Sequence, residues 1–221
     1  NGTITLKDTE QNSQYGIYAY AAENAHKRLV ENAREMVKTK QQKISTKEKI
    51  LEAALRLFNE HGCGAVSTNH IAKECGISPG NLYFHYTNKS EIIRSLYEKM
   101  LVDWDLTQNT IAMDGDVLTY IRQLLNLAAE LYWKYRFIHR ELATLCMEDK
   151  ILDTRNKEVL AKRRQENTIV IHVLIAKKYL RELSGEEIEF LVDMTWLISI
   201  FWQPYIQMQQ TTMDEAAIKK G

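Results

Sequence analysis

Residues 68–86, TNHIAKECGISPGNLYFHY, carry the strongest structural signal in the chain. A small residue, Ala72, is followed four positions later by Gly76, and Leu82 comes six positions after the glycine. The small residue lets two helices cross closely, the glycine permits a tight turn, and the apolar residue packs the second helix onto the first. This spacing predicts a helix-turn-helix.

The second helix of this motif has a clear start. Ser78 can cap it, and Pro79 can take its first position, where a missing N–H costs nothing. At about 100° per residue, Leu82 and Tyr86 lie on one side, one turn apart. We expect these two side chains to face a core.

The remaining side chains of the second helix point away from that core. An exposed Tyr-Phe pair on a short helix is unusual without a partner. The second helix of a helix-turn-helix enters the DNA major groove, where Gly80 would permit close approach, Asn81 can pair with adenine and Phe84 can contact a thymine methyl. Tyr83 and His85 can donate hydrogen bonds to phosphates.

Backbone contacts are also predicted beside this helix. Lys89 and the first amides of a fourth helix, together with Ser67 and Thr68 at the start of the first motif helix, are expected at the phosphates. The predicted DNA-contacting residues are Ser67, Thr68, Ser78, Pro79, Gly80, Asn81, Tyr83, Phe84, His85 and Lys89.

The rest of the chain also reads as helical. Ser45 and Glu48 form a capping box before a helix over 46–61, and Asn88 with Glu91 opens a fourth helix. Asp116 can cap a helix to about Trp133. Another helix, or a kinked continuation of the same one, reaches Met147, and after a break over 149–156 long helices follow over about 157–182 and 185–211. Two prolines and nine glycines in 221 residues suit long helices, so we predict an all-α protein.

The stretch from Ser45 to Met100 resembles the N-terminal domain of the TetR family of transcriptional regulators. The matching residues are Ile50, Leu51, Ala53, Ala54, Leu57, Phe58, Gly62, Ser67, Thr68, Ile71, Ala72, Gly76, Ile77, Ser78, Gly80, Leu82, Tyr83, His85, Tyr86, Lys89, Ser90 and Glu91. The resemblance implies a ligand-responsive homodimeric repressor that binds an inverted-repeat DNA operator and is released by a small molecule.

The resemblance also implies a helical C-terminal domain with an effector pocket and a dimer interface. The interface is expected on the helices 157–182 and 185–211, through Ile169, Val173, Ala176, Leu180, Ile188, Leu191, Val192, Thr195, Trp196, Ser199 and Trp202. For the pocket, which would hold a small apolar or aromatic effector, the candidates are Tyr132, Trp133, Tyr135, Phe137, His139, Cys146, Met147, Trp196, Trp202 and Tyr205. Aromatic and methionine side chains at helical spacing more often belong to a core than to a pocket.

Three segments are predicted. Residues 1–43 form an extension with a helical stripe from Tyr18 to Met36 and a basic end, residues 44–92 form the helix-turn-helix domain (hereafter the head), and residues 93–221 form the effector-binding and dimerisation domain. Between residues 26 and 43 six Lys and Arg residues face two Glu residues, which suits a solvated helix face or an arm that binds phosphates.

Other classes of protein find little support. The formal net charge is zero, three cysteines form no C-x-x-C pair, and no histidine cluster has metal-ligand spacing, so no cofactor or metal is expected. No nucleophile, phosphate-loop or zinc-protease motif suggests an enzyme. A helical bundle that binds a membrane surface or another protein is the remaining rival, supported only by the basic segment 18–43. We expect a cytoplasmic protein without a membrane span.

Overall fold

The computed structural model describes residues 45–108 and 116–209, which belong to one compact unit, Ser45–Gly221. The described residues form eight helices and no strand, which confirms the all-α prediction. The helices are α1 (Thr46–His61), α2 (Thr68–Cys75), α3 (Pro79–His85), α4 (Lys89–Gln108), α5 (Val117–Lys134), α6 (Arg136–Glu148), α7 (Lys150–Ala176) and α8 (Gly185–Gln209).

Capping side chains fix the helix starts in the head. Ser45 Oγ accepts a hydrogen bond from the backbone N–H of Glu48, and Glu48 accepts one from the N–H of Ser45, both at 3.2 Å. Ser78 Oγ accepts from the N–H of Asn81 at 3.2 Å. Each of these bonds satisfies a backbone donor that the helix itself cannot pair, as the sequence predicted.

The turn between α2 and α3 depends on Gly76. Its φ of 66° lies in the left-handed region, which favours glycine, and its N–H donates to the last carbonyls of α2. The N–H of Ile77 donates to Ala72 O at 3.0 Å and completes the cap. The glycine of the helix-turn-helix spacing is therefore required by backbone geometry.

One buried cluster joins the head to the helices beyond it. It contains Phe58 from α1, Leu82 from α3, Leu96 from α4 and Phe137 from α6, and it ends at Leu152 in α7. Burying each such side chain contributes about 1.5–3 kcal/mol. The apolar core therefore contains residues from both sides of residue 92, which is the predicted boundary between the head and the C-terminal domain.

The predicted break over 149–156 is wrong. Only Asp149 interrupts the helices, and its carboxylate accepts from the N–H groups of Ile151 at 3.0 Å and Leu152 at 3.2 Å, which starts α7 at Lys150. Leu152 is 2% exposed and packs into the core, and this burial holds the first turn. The same helix ends at Ala176, earlier than predicted.

The predictions for residues 1–43 lie outside the described residues, including the helical stripe from Tyr18. Within 45–108 and 116–209, no helix combines the length and apolar character that crossing a membrane requires.

Candidate nucleic-acid interface

Helix α3 divides its side chains between a core and the solvent. Leu82 is fully buried and Tyr86 is 1% exposed, which confirms the predicted inward face. Phe84 is 84% exposed and Tyr83 is 50% exposed, while Gly80 and Asn81 are also exposed. A large apolar ring held in water on a rigid short helix indicates a surface that meets a partner.

Two side-chain contacts order this exposed surface. The Phe84 ring meets the half-buried His85 ring edge-to-face, with centroids 5.2 Å apart. The Tyr83 hydroxyl lies 2.9 Å from Thr68 Oγ1, in hydrogen-bond contact. The second contact brings the start of α2 beside the exposed face of α3, so hydroxyl groups of both helices stand at one edge.

Gly80 has no structural reason to be glycine. A Cβ added there would meet nothing closer than Ser78 Oγ at 4.0 Å, and its φ is not in the left-handed region. Glycine inside a helix costs up to about 1 kcal/mol relative to alanine. The open space above Gly80 therefore suits close approach by another molecule, as the sequence predicted for DNA.

Lys89 has a different position from the one expected. Its ammonium donates to the carbonyls of Cys63 at 2.7 Å and Val66 at 3.2 Å, and so holds the loop between α1 and α2. A phosphate at Lys89 would compete with these bonds, and that contact stays a prediction. Ser67 and Ser78 use their hydroxyls as caps for α2 and α3, and Pro79 is exposed at the first position of α3.

Sequence analysis did not single out two exposed side chains of α2. Asn69 follows Thr68 directly and Lys73 lies one turn further along, and both are exposed. Ile71 and Ala72 are the buried residues of the same helix. Placing α2 on a helical wheel would have revealed these two outward positions.

The predicted effector-pocket residues do not share one role. Tyr135 and Phe137 are fully buried in the core, where Phe137 lies 5.2 Å from the Phe58 ring and the Tyr135 hydroxyl donates to Asp103 at 2.7 Å. Met147, by contrast, is 78% exposed. These three residues are better explained as core or surface than as pocket lining, because packing partners or solvent surround them.

A stacked pair marks the turn between α5 and α6. The rings of Tyr132 and His139 lie nearly parallel with centroids 3.7 Å apart. Desolvation by burial lowers the pKa of His139 to about 4, so the imidazole is neutral near pH 7. The neighbouring Trp133 is half-buried and lies under the guanidinium of Arg136, 4.4 Å from the ring centroid.

The other predicted pocket residues are spread over α6 and α8. Cys146 packs half-buried against the core, and Trp196 is half-buried. Trp202 has a buried indole N–H without a hydrogen-bond partner in the described part of the chain, and its ring lies 5.8 Å from Tyr205. An unpaired buried donor of this kind is unfavourable and could be satisfied by a ligand.

A cleft of about 570 Å³ lies elsewhere, between α1, α4 and α7. None of the predicted pocket residues lines it. Its rim carries paired charges, since Arg94 bonds to Asp149 and Arg155 to Glu98. The lining residues are Ser45, Lys47, Glu48, Leu51, Tyr86, Glu91, Arg94, Ser95, Tyr97, Glu98, Ile151, Leu152 and Arg155.

Polar contacts bind the end of α1 to the α5–α6 turn. The Asn59 amide donates to Lys134 O at 2.8 Å and accepts from the N–H of Phe137 at 3.1 Å. The N–H of Cys63 donates to Glu141 at 2.9 Å, and Arg140 donates to Phe58 O at 3.1 Å. The bonded residues lie 75 to 82 positions apart in the chain, so no short sequence pattern indicates these contacts between α1 and the α5–α6 turn.

Helix α8 is apolar on two sides. Ile188 and Val192 are buried against Ile171 of α7, so part of the predicted interface stripe packs within the chain. The opposite side, which was not predicted as an interface, exposes large apolar side chains by 46–80%. These are Phe190, Leu197, Ile198, Phe201, Tyr205 and Met208.

Residues 45–108 and 116–209 contain no group of three or more His, Cys, Asp or Glu side chains able to hold a metal ion.

Comparisons with known proteins agree with this geometry. Residues 50–96 match the family model for bacterial regulatory proteins, tetR family, and residues 107–221 match the model for a bacterial transcriptional repressor. A solved TetR-family transcriptional regulator from Marinobacter aquaeolei VT8 has a TM-score of 0.71 and 28% identity, with coverage of 79% of this chain and 86% of that one.

Two curated relatives are also similar. The chain is 32% identical over 97 residues to the HTH-type transcriptional regulator AcrR of Shigella flexneri, across 40% of this chain and 42% of that protein, which is less than half of its length. It is 24% identical over 170 residues to the "Probable HTH-type transcriptional regulator YttP" of Bacillus subtilis, across 76% of this chain and 80% of that protein. Because the second family model alone covers more than half of the chain, the protein belongs to the TetR family of DNA-binding transcriptional regulators.

Proposed function

We propose that the protein is a homodimeric repressor that binds an inverted-repeat operator and leaves it when a small effector binds. The observation that carries this proposal is α3, which buries Leu82 and leaves Phe84 84% exposed. A short helix that is packed against a core on one side and exposed to solvent on the other can enter the major groove of DNA.

The exposed surface of α3 has groups for both kinds of DNA contact. Asn81 supplies an amide for base edges, Phe84 a ring for thymine methyl groups, and Gly80 room for close approach. Thr68 and Tyr83 present a pair of hydroxyls at the edge of this surface, where phosphates would lie. Bases would therefore be read by neutral groups.

A second copy of the chain is the partner that suits α8. A helix side lined by large apolar residues is normally buried, but Phe190, Leu197 and Phe201 of α8 are 48–63% exposed. Ile169 of α7 is also exposed, by 58%. Two copies of this surface related by a two-fold axis would bury it in a four-helix contact, and the same axis would make the operator an inverted repeat.

Effector release requires the head to respond to events in the C-terminal half. Two sets of contacts support such coupling. Asn59 binds the α5–α6 turn, and α4 is ion-paired to the start of α7, through Arg94 with the capping residue Asp149 and Glu98 with Arg155. An effector that binds better to a conformation in which α6 or α4 is shifted would lower operator affinity. The operator would lower effector affinity by the same coupling free energy. The aromatic groups near Tyr132 favour an apolar or aromatic effector.

The operator part is tested by selection from a random duplex library with the full chain, followed by binding isotherms with the selected duplex and a scrambled one. We expect an inverted-repeat sequence and at least about 1000-fold tighter binding to it than to the scrambled duplex. Selection that enriches no sequence contradicts the proposal.

The effector part is tested with a panel of small aromatic and aliphatic compounds, scored by thermal shift and by release of the selected duplex. Matched variants locate the site: His139→Phe alters the α5–α6 stack, whereas Ile151→Trp fills the cleft between α1, α4 and α7. We expect His139→Phe to weaken release and Ile151→Trp to leave it unchanged. If Ile151→Trp weakens release and His139→Phe does not, the effector binds in the cleft instead. A panel in which no compound binds contradicts effector release by this class of compound.

A further inference from the structure

Lys89, the half-buried first residue of α4, bonds to the backbone of the head. Its ammonium donates to the carbonyl oxygens of Cys63 at 2.7 Å and Val66 at 3.2 Å, in the loop between α1 and α2. These two residues are only 4% and 3% exposed, and no other donor in residues 45–108 and 116–209 is bonded to either oxygen. A phosphate that drew the ammonium away would leave two backbone acceptors unpaired, which is unfavourable in a buried part of a loop.

The start of α4 is also an unfavourable place for a free cation. The aligned peptide dipoles of a helix give its first turn a partial positive charge, which repels the ammonium of Lys89. The oxygens of Cys63 and Val66 carry partial negative charges and lie within hydrogen-bond distance, so they offset this repulsion. Contacts within the head therefore account for the position of the Lys89 ammonium.

The loop that Lys89 binds leads directly into α2. The peptide between Val66 and Ser67 is bonded on both sides, because its oxygen accepts from Lys89 and its N–H donates to Nδ1 of His70 at 3.3 Å. Ser67 is the N-cap of α2, so this peptide fixes where the helix begins. The next residue, Thr68, carries the hydroxyl that lies at the edge of the exposed α3 surface.

The same loop is held by α6 from another direction. The N–H of Cys63 donates to Glu141 at 2.9 Å, while the oxygen of Cys63 accepts from Lys89. A Cβ added at Gly62 would lie 3.2 Å from Glu141 Oε1, so the loop packs closely on this carboxylate. Removing the ammonium of Lys89 would therefore release the loop from α4 but leave its contact with α6.

We infer that Lys89 is a positioning residue for DNA binding, whose ammonium orients the start of α2 through the loop carbonyls and does not itself contact a phosphate. The Thr68 hydroxyl reaches the edge of the DNA surface because Lys89 holds the loop before it. The inference rests on the proposed function in one respect, since it takes Thr68 to lie at a phosphate. It does not depend on dimerisation or on effector release.

The test uses three full-length variants. Lys89→Met removes the ammonium and keeps a side chain of similar length. Lys99→Met removes the same charge from the same helix, about 15 Å further along α4, and serves as the matched control. Thr68→Val removes the hydroxyl at the edge of the α3 surface and is combined with Lys89→Met in a double-mutant cycle.

Amide hydrogen exchange in the DNA-free protein reports on the loop. The amides of Cys63 and Ser67 are hydrogen-bonded to Glu141 and His70. We expect Lys89→Met to speed their exchange at least about ten-fold, because the loop loses its anchor on α4. Exchange in the middle of α1 and in α5 should stay as in wild type, and Lys99→Met should leave the loop amides unchanged.

Dissociation constants for the selected duplex are measured between about 50 and 200 mM salt. We expect Lys89→Met to weaken binding as much as Thr68→Val does, about three- to five-fold, with an unchanged slope of log affinity against log salt. A cation lost from a phosphate would instead lower that slope by about 1 for each half-site. In the Thr68→Val background, Lys89→Met should cost less than about 1.5-fold, because the hydroxyl that it positions is already absent.

Three results would overturn the inference. A slope that falls in Lys89→Met but not in Lys99→Met assigns the ammonium to a phosphate. Additive losses from Lys89→Met and Thr68→Val, or no loss from Lys89→Met, show that the lysine does not act through α2. Faster exchange throughout the head shows that it only stabilises the fold.

None of these results contradicts the repressor proposal, because operator selection and effector release are measured on the wild type. Selection that enriches no sequence contradicts the repressor, whereas the slope and the cycle can still be measured on random-sequence DNA. Wild type that binds no duplex overturns both.

Discussion

Two helices of this protein expose large aromatic side chains, and their surroundings differ. On α3, Phe84 and Tyr83 stand among small and polar groups such as Gly80, Asn81 and the Thr68 hydroxyl. On α8, the exposed stripe from Phe190 to Met208 continues over about 27 Å with apolar side chains at each turn. Exposure alone marks both as interaction surfaces, but the neighbouring groups indicate different partners.

The difference follows from what each partner offers. A DNA groove presents hydrogen-bonding edges and methyl groups, so a ring beside an amide and hydroxyls suits it. A second α8 presents only apolar surface along this stripe, which suits burial without polar partners. Asp193, which lies between Phe190 and Leu197 in the sequence, is ion-paired with Arg164.

Charge placed on the α8 stripe should have the largest effect. We expect Leu197→Glu/Phe201→Glu to weaken the dimer at least about 100-fold, because two carboxylates per chain would lose water in the contact. Analytical ultracentrifugation should show the mass of two chains falling to that of one. The control is Leu125→Glu on α5, where the leucine is 63% exposed, and this change should leave the mass unchanged. A dimer that survives the double change contradicts the assignment of α8.

Removing the α3 ring should have the next largest effect. We expect Phe84→Ala to weaken binding of the selected duplex at least about 10-fold by loss of apolar contacts in both half-sites. Its unfolding free energy should change by less than about 0.5 kcal/mol, since the ring is largely in water. Phe190→Ala serves as the reciprocal control and should leave DNA affinity intact at concentrations where it is dimeric. An equal loss of DNA affinity in both variants would contradict the assignment of DNA binding to α3 rather than α8.

Adding a methyl group at Gly80 should change stability and DNA binding in opposite directions. We expect Gly80→Ala to raise the unfolding free energy by up to about 1 kcal/mol, because the fold leaves space for the methyl and alanine favours the helix. Affinity for the selected duplex should fall several-fold, because the methyl occupies space that we assign to DNA. Urea unfolding and fluorescence anisotropy measure the two quantities. Tighter DNA binding would show that close approach at Gly80 is not needed.

The smallest effect is expected at the edge of the α3 surface. Tyr83→Phe keeps the ring but removes the hydroxyl that contacts Thr68, so we expect two- to five-fold weaker binding, equivalent to about 0.5–1 kcal/mol. Thr68→Val and the double variant complete a mutant cycle. If the two hydroxyls act together at one phosphate, the double variant should lose less than the sum of the single losses. Strict additivity would assign them to separate contacts.

Much of the head could be predicted because its signals are local. The caps at Ser45 and Ser78, the turn at Gly76 and the inward side of α3 each depend on residues within one or two helical turns. The predicted break after Asp149 failed for the opposite reason. The polar sequence there does resemble a loop, but a distant core buries Leu152 and holds the turn as helix.

The candidate sites divide in the same way. The outward side chains of α3 could be derived from periodicity, whereas the hydrogen bonds of Lys89 could not, because its partners Cys63 and Val66 lie 26 and 23 positions earlier. Aromatic density near residues 131–139 suggested a pocket, but composition does not distinguish a ring that lines a cavity from one that fills a core. The burial of Tyr135 and Phe137 decides in favour of the core.

The sequence by itself determined the helix-turn-helix, its capping residues, the outward face of α3 and the membership of a regulator family, since helix periodicity and turn chemistry act over short distances. Tertiary structure decided which apolar stripe of α8 is left for a partner, which aromatic residues are core, and how Asn59 binds the head to the α5–α6 turn. These features depend on contacts between residues far apart in the chain, and such contacts exist only after the helices have packed.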